Sequence, residues 1–239
     1  MWFECRRPTA LNICEVYFRS TPDRICFLRP DSLALLLNLA NLSFTSKVLL
    51  VENTKGFLAG ALIERCVAYA LRVEFHENMI DFGTPSSSGH NTVGALHPKL
   101  QVLREFNFRG KHTRRLGFIN ASVLMNDASS PDPIARQLAL SHANSYNSCI
   151  IVHEQFLPLE IYKVVAFCVQ PSAPIVVFCG SLEPLIELQE YLLSKRLAIN
   201  VRIEELFTRV QQVLPCRTHP NMNMHSASGY ILSAIKISA

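Results

Sequence analysis

The chain has 239 residues, of which 49% are hydrophobic and 18% are charged, and its formal net charge is +4. These values argue against an intrinsically disordered chain and are typical of one large α/β domain. Every apolar run is shorter than the roughly 18 residues that a membrane-spanning helix requires, so we expect no membrane span.

The cysteines and the first residues indicate a reducing compartment. The eight cysteines are scattered singly, without C-x-x-C spacing, which favours free thiols over disulfides or a zinc site. Residues 1–8 contain two arginines but no apolar stretch follows them, so a secretory signal is not expected. These features indicate the cytosol or the nucleus, and of the two we expect the nucleus.

Hydrophobic periodicity predicts helices alternating with strands. Residues 10–20 have helical periodicity, and Asp31, after Pro30, is the predicted N-cap of a helix that runs to about residue 41. Further along the chain, the pattern predicts strands at residues 48–51, 72–76, 116–120, 148–153 and 175–178, and helices at 56–70, 133–145, 157–167 and 183–195. This alternation is typical of a mostly parallel, doubly wound α/β sheet.

The end of the sequence predicts one long hairpin. Residues 201–214 have strand character, Pro215 and Pro220 interrupt it, and residues 230–237 return as an alternating apolar strand. At least one of these two strands must be antiparallel to its neighbour.

A basic window carries most of the excess positive charge. It contains five basic residues against one acidic residue, Glu105; the basic residues are Arg104, Arg109, Lys111, Arg114 and Arg115. The window fits a polyanionic partner such as RNA, and it equally fits a solvated loop, so its charge alone leaves both interpretations open.

Residues in the hairpin form an unusual motif. Residues 209–215 read R-V-Q-Q-V-L-P, residues 217–224 read R-T-H-P-N-M-N-M, and residues 229–233 read G-Y-I-L-S. The motif resembles the end of the non-catalytic subunit of the eukaryotic tRNA (adenine-58 N1)-methyltransferase, where R-x-Y-Q-V-L-P-x-R-T-H-P-x-M-x-M precedes G-G-Y-x-L-S-G. Gln211, Ser228 and Ala234 depart from that pattern. Residues 28–42 resemble the segment that opens the methyltransferase-like domain of the same subunit, and the resemblance spans roughly residues 24–237.

The resemblance implies a Rossmann-like class I methyltransferase fold, an α/β fold with a mostly parallel doubly wound sheet and a C-terminal antiparallel hairpin. We assign residues 1–24 to an N-terminal linker or helix remnant and residues 25–239 to the methyltransferase-like domain. Longer members of the family carry an additional N-terminal β-rich domain that has no counterpart here, so we expect a truncated form or the C-terminal domain alone.

The cofactor loop that the resemblance implies is degenerate. In active enzymes of this fold, an acidic residue and a glycine-rich turn follow the first strand, because the backbone must pass against S-adenosylmethionine. The corresponding residues here are Glu52, Asn53, Thr54, Lys55 and Gly56. The acid is retained, but larger residues stand where small ones are needed, so we predict no cofactor, no metal and no catalytic residue. Gly56 is interpreted as a residue that starts a helix. Glu154, the carboxylate nearest to the end of the fourth strand, receives no catalytic role.

The resemblance implies a non-catalytic, tRNA-binding subunit that supports an active methyltransferase paralogue, paired as a heterodimer and assembled as a heterotetramer. Under this interpretation, the RNA-binding candidates are the basic side chains of the window and the hairpin: Arg104, Arg109, Lys111, Arg114, Arg115, Arg209, Arg217 and His219. Arg217 and His219 are equally candidates for bracing the hairpin turn. Two alternatives remain: an active S-adenosylmethionine-dependent RNA methyltransferase with an atypical loop, and a protein-pairing domain of the same fold without RNA contact.

Overall fold

A seven-stranded sheet forms the centre of the computed structural model of the chain, which describes residues 5–65, 68–75, 101–108, 114–125, 137, 140–223 and 229–237. The strands are β1 Lys47–Glu52, β2 Tyr69–Glu74, β3 Leu116–Asn120, β4 Ser148–Val152, β5 Pro174–Cys179, β6 Ala198–Glu205 and β9 Tyr230–Lys236. Their order is β3-β2-β1-β4-β5-β9-β6, and β1 to β5 are parallel. Strand β9 is antiparallel to both of its neighbours, β5 and β6. The predicted fold is therefore confirmed.

Helices cover both faces of the sheet. One face packs against α1 Ala10–Ser20, α2 Pro30–Leu39 and α3 Phe57–Glu64, and the other against α4 Ala121–Met125, α5 Pro158–Val165 and α6 Glu183–Ser194. In β1, Val48 and Leu50 enter the first core while Leu49 and Val51 enter the second. Because side chains alternate across a strand, a strand buried on both faces must be apolar at every position, as this run is.

The described residues also include three short 3₁₀ helices: Pro22–Ile25, Val102–Phe106 and Ala166–Cys168. The second lies against α3, where Phe106 occupies the space beside Gly60. A Cβ on Gly60 would come within 2.3 Å of that ring, so glycine is required here by close packing. Residues of α1 are buried in the same core as those of α3. The domain division at residue 24 stays a prediction.

Two helix boundaries differ from the sequence prediction. Pro30 is the first residue of α2 and Arg29 precedes it as the N-cap, so the prediction of Asp31 as N-cap is wrong. The physical reason is that proline suits the first helical position, where its missing N–H has no partner to lose. The predicted helix 56–70 ends at Glu64, because Tyr69 and Ala70 pair with β1 as the start of β2. The predicted helix 133–145 lies mostly outside the described residues, and residues 142–144 form a turn.

The prediction of one continuous terminal hairpin is wrong in its middle. Strand β6 ends at Glu205, opposite Tyr230 where β9 begins, so the residues beyond it have no partner strand in the main sheet. Two short strands, β7 Gln211–Gln212 and β8 His219–Pro220, instead pair with each other in a separate small hairpin. We call residues 206–223 the terminal hairpin.

A polar contact fixes the base of the terminal hairpin to the amino end of α2. Arg29 is only 6% exposed, and its guanidinium donates to the Thr208 carbonyl at 3.2 Å and to the Thr208 hydroxyl at 2.5 Å. Its Nε lies 3.0 Å from Asp31 Oδ1, and the Thr208 hydroxyl donates to Asp31 Oδ2 at 2.5 Å. The hairpin therefore projects from the edge of the sheet in a defined direction.

Candidate functional site

The carboxyl ends of the parallel strands meet at one edge of the sheet, which we call the carboxyl edge. In open α/β sheets this edge is where ligands bind, because loops and helix amino ends surround a crevice there. Residues that follow β1, β2, β4 and β5 therefore form the candidate site: Asn53, Phe75, His153 and Gly180.

The Glu52 carboxylate accepts hydrogen bonds from the loop that follows β1 and from the start of α3. Its side chain is fully buried, and its Oε2 accepts a hydrogen bond from the Leu58 N–H at 3.1 Å, in the first turn of α3. The buried Thr54 hydroxyl donates to the same oxygen. Gly56 has φ 88° as the residue before α3, and Lys55 has φ 53°. The carboxylate thus stabilises the amino end of a helix, where a negative charge is favourable.

Arg72, within β2, lies between the acids that end β1 and β2. Its Nε lies 3.2 Å from Glu52 Oε1, and its Nη1 donates to Glu74 Oε1 at 2.5 Å. The Nε and Oε1 atoms form an ion pair without hydrogen-bond alignment, and neither has a hydrogen-bond partner among the described residues. Arg72 is 6% exposed. The acids that end β1 and β2 are therefore both paired with one arginine of the same chain.

Three rings fill the space beyond β2 and β4. The rings of Phe75 and Phe156 are 5.6 Å apart between centroids, and that of His153 lies 5.1 Å from Phe156 and 6.2 Å from Phe75. His153 Nδ1 accepts the backbone N–H groups of Gln155 at 3.2 Å and Phe156 at 3.3 Å. Burial lowers the pKa of His153 to about 4, and the nearby positive charges of Arg72 and Lys55 add to this effect.

These residues do not fit S-adenosylmethionine. The carboxylate that would face the cofactor is bonded to Thr54, Leu58 and Arg72, and the arginine side chain also holds the acid at the end of β2. A cofactor would have to displace this buried network and leave its charges without partners, which is costly. We derive no reaction step through this group.

A separate pocket of about 500 Å³ opens beside this network, at the ends of β4 and β5. Its walls come from the last turn of α1, from the α1–α2 connection and from the carboxyl edge: Phe18, Phe27, His153, Glu154, Phe178 and Gly180. Burial and the charge of Asp23 raise the pKa of Glu154, and Lys55 opposes this shift. Glu154 lies in this pocket and outside the network of Glu52, Arg72 and Glu74.

The structure separates the basic candidates into two places. Arg104 is exposed on the 3₁₀ helix beside α3, while Arg114 and Arg115 lie just before β3, at the amino edge of the sheet. The Arg115 guanidinium lies 5.9 Å from the centroid of the exposed Phe44 ring. Arg109 and Lys111 lie outside the described residues.

The other basic candidates belong to the terminal hairpin, near the opposite end of the strand order. Arg209, Arg217 and His219 are exposed, and Arg209 lies 5.3 Å from the centroid of the Phe207 ring. His219 Nδ1 lies 2.9 Å from the Pro220 carbonyl, to which the ring N–H donates in one tautomer. The two groups of basic residues are therefore not one continuous patch.

The remaining chemistry of the described residues is structural. Seven cysteines fall in these ranges and all are free thiols, with burial raising the pKa of Cys14 and Cys149 to about 12. Among the described residues, no group of three or more His, Cys, Asp or Glu side chains could hold a metal ion. No helix in the same ranges has the length and apolar character needed to cross a bilayer.

Sequence reasoning missed Arg72, Phe18 and Phe27. A signal for Arg72 existed, because a single charged residue inside the apolar run of residues 70–73 needs a buried partner. No comparable signal marks Phe18 or Phe27, since only the folded positions of α1 and of the α1–α2 connection bring them to the pocket.

Comparisons with known proteins agree with this fold. The sequence profile of the Gcd10p family matches residues 2–159. Two curated relatives are named as the non-catalytic subunit of tRNA (adenine(58)-N(1))-methyltransferase. The one from Dictyostelium discoideum is 27% identical over 97% of this chain and 50% of its own length; the one from Mus musculus is 22% identical over 97% and 60%. The chain thus spans about half the length of these relatives.

Two solved structures share the fold. The tRNA (m1A58) methyltransferase TrmI from Aquifex aeolicus superposes with a TM-score of 0.65 at 20% identity, over 99% of this chain and 79% of the other. An S-adenosylmethionine-dependent O-methyltransferase from Thermotoga maritima superposes with a TM-score of 0.63 at 12% identity, over 97% and 72%.

The buried ion pair makes a prediction about stability. We expect Glu52→Gln to lower the free energy of unfolding by about 3 kcal/mol, because Arg72 loses a buried counter-charge and the amino end of α3 loses a charged acceptor. Urea denaturation measures this change. Adding Arg72→Met should cost less stability in this background than in the parent protein, because the ion pair with Glu52 is already lost and only the contact with Glu74 remains to be removed. A change below about 0.5 kcal/mol in the single variant would contradict the assignment.

The lowered pKa of His153 predicts a pH dependence. In the unfolded chain His153 has its ordinary pKa of 6.5, so it binds a proton below that pH, whereas in the folded protein it stays neutral until about pH 4. The free energy of unfolding therefore falls as the pH falls from 6.5 towards 4. The loss should reach up to about 2 kcal/mol between neutral pH and pH 5. His153→Asn keeps an acceptor for the backbone N–H groups and should remove this contribution, as unfolding at both pH values would show. Identical pH profiles for the two proteins would contradict it.

Proposed function

The chain belongs to the Gcd10p family, and on this premise we propose that it acts as the non-catalytic subunit of a tRNA (adenine(58)-N(1))-methyltransferase. In this role it supports an active S-adenosylmethionine-dependent paralogue in tRNA modification. The names of the curated relatives support the proposal. The observation that carries it is the carboxyl edge, where Arg72 pairs with both Glu52 and Glu74 in place of a cofactor site.

The terminal hairpin supports a paired assembly. Apolar side chains are strongly exposed there: Phe207 66%, Val210 60%, Val213 74% and Met222 80%. Several exposed apolar residues grouped on one projecting segment mark an interaction surface more often than a solvated one. We propose that this surface contacts the catalytic paralogue in a heterodimer, and that heterodimers assemble further into a heterotetramer in the nucleus.

The basic residues support contact with tRNA. Arg104, Arg114 and Arg115 are proposed to contact phosphates, and Arg109 and Lys111, which lie outside the described residues, are proposed as further phosphate contacts. Arg209, Arg217 and His219 are proposed to do so on the hairpin, where His219 is already within hydrogen-bond distance of its own turn. Phosphate contacts of this kind give affinity without sequence preference.

A protein-pairing domain without RNA contact is the second candidate. The exposed apolar hairpin favours it, and two of the arginines already lie over aromatic rings of the chain itself. An active enzyme is disfavoured by the cost of displacing the buried ion pair.

Calorimetric titration with S-adenosylmethionine tests the non-catalytic role. We expect the complex of this chain with the catalytic paralogue to bind one cofactor per heterodimer, and this chain alone to give no binding heat. The control is a complex in which the cofactor site of the paralogue is disabled, and this complex should give no binding heat. Two cofactors per heterodimer would contradict the proposal and favour an active enzyme.

Neutralising each basic group tests RNA binding. Replacing Arg104, Arg114 and Arg115 by alanine should weaken tRNA binding of the assembled complex, and the slope of log K against log salt should decrease by about 0.7–0.9 per lost phosphate contact. Replacing Arg209, Arg217 and His219 by alanine measures separately how much the terminal hairpin contributes to tRNA affinity. Replacing the exposed Lys195 and Arg196 is the matched control. Unchanged affinity and slope in both triple variants would remove the RNA role and leave the protein-pairing domain.

A further inference from the structure

The pocket at the ends of β4 and β5 shares His153 and Gly180 with the carboxyl edge but lies outside the network of buried ion pairs. It has a volume of about 500 Å³, and its walls come from Phe18 of α1, the α1–α2 connection, the two strand ends and Gly229. Glu52, Arg72 and Glu74 do not line it. A volume of this size lies within the range of small-molecule sites.

Phe27 lines this pocket with its backbone in the left-handed region. Cys26 and Phe27 have φ values of 53° and 54°, and such values are uncommon for a bulky residue without a structural reason. The Phe27 N–H donates to the Pro22 carbonyl at 2.8 Å and the Cys26 N–H to the Asp23 carbonyl at 3.3 Å, which holds the turn. The result is a phenylalanine that is 54% exposed while it lines the pocket. Strained residues of this kind concentrate at ligand sites.

Two adjacent residues supply a hydrogen-bond donor and an acceptor. Because His153 Nδ1 accepts two backbone N–H groups, the neutral ring carries its proton on Nε2, which is then a donor. Glu154 follows directly and lines the same pocket with a carboxylate. Phe18 and Phe178 add aromatic walls.

We propose that this pocket binds an unstacked RNA nucleobase that carries an exocyclic amino group beside a ring nitrogen, as in adenine or cytosine. The amino group donates to Glu154, the ring nitrogen accepts from His153 Nε2, and the base stacks on Phe27. Proteins recognise single-stranded bases by this combination of aromatic stacking and edge hydrogen bonds. The carboxylates of Glu154 and Asp23 disfavour a phosphate in the same place. The inference rests on the proposed function, which supplies the RNA.

Gly180 offers a way to fill the pocket without disturbing the fold. A Cβ built on this residue meets no atom within 4 Å, and the residue lines the pocket. Leucine at this position therefore projects into open space. Gly229, by contrast, has φ 71° and Phe178 within 2.6 Å of its Cβ position, so it is unsuitable for this purpose.

The test is titration of the assembled complex with adenosine, cytidine and uridine, followed by NMR saturation transfer. We expect adenosine and cytidine to bind about tenfold more tightly than uridine, which lacks the amino group. Gly180→Leu should weaken their binding at least about tenfold, as should Glu154→Leu, while Glu154→Gln keeps an acceptor and most of the affinity. Thr45→Leu, exposed near the amino edge, is the matched control. Unchanged thermal unfolding of Gly180→Leu shows that it folds.

The outcomes separate this inference from the proposed function. Equal binding of the three nucleosides, or no effect of Gly180→Leu on their binding, overturns the base pocket even when tRNA still binds the complex. A third outcome combines two results: the parent complex binds no nucleoside, and the Gly180→Leu variant no longer pairs with the paralogue. It would assign the pocket to a side chain of the partner protein and would also overturn the inference. Failure of the parent complex to bind tRNA overturns the proposed RNA role, whatever the nucleosides do.

Discussion

The Glu52 carboxylate connects three parts of the fold at the carboxyl edge: β1, α3 and Arg72 of β2. Its position at the end of β1 places one oxygen at the amino end of α3 and the other opposite Arg72 of β2. A buried carboxylate is tolerated only with such partners, and a buried arginine has the same requirement. The geometry of the carboxyl edge, the direction of α3 and the position of Arg72 therefore depend on one another.

Apolar runs predicted the sheet well, because strands buried on both faces leave a continuous signal. Leu116–Asn120 forms β3 with the predicted bounds, and the run at 48–51 lies within β1. Errors arose where tertiary contacts decide: Tyr69 and Ala70 extend an apolar helical pattern but pair with β1. Strand β6 stops at Glu205 because β9 offers no partner beyond Tyr230. Both boundaries are set by pairing with a distant strand, which the local sequence does not indicate.

The candidate site was less predictable than the sheet. Motif comparison located the loop of residues 52–56, but the partners of Glu52 include Arg72, twenty residues further along the chain. The pocket draws on residues as distant in sequence as Phe18 and Gly229. Its aromatic, neutral histidine and carboxylate groups come together only after folding. The residues of this pocket therefore differ in chemistry from the buried ion pairs beside them.

The place of β9 has a consequence for biosynthesis. Strand β6 hydrogen-bonds only to β9 in the described sheet, and β9 also covers the edge of β5. When translation has reached residue 205, β6 therefore has no partner strand, and the edge of β5 that β9 will cover is still exposed. At about 5–20 residues per second, the interval before Tyr230 emerges is seconds long. During this interval the nascent chain presents unpaired edges of the kind that recruit chaperones or other chains.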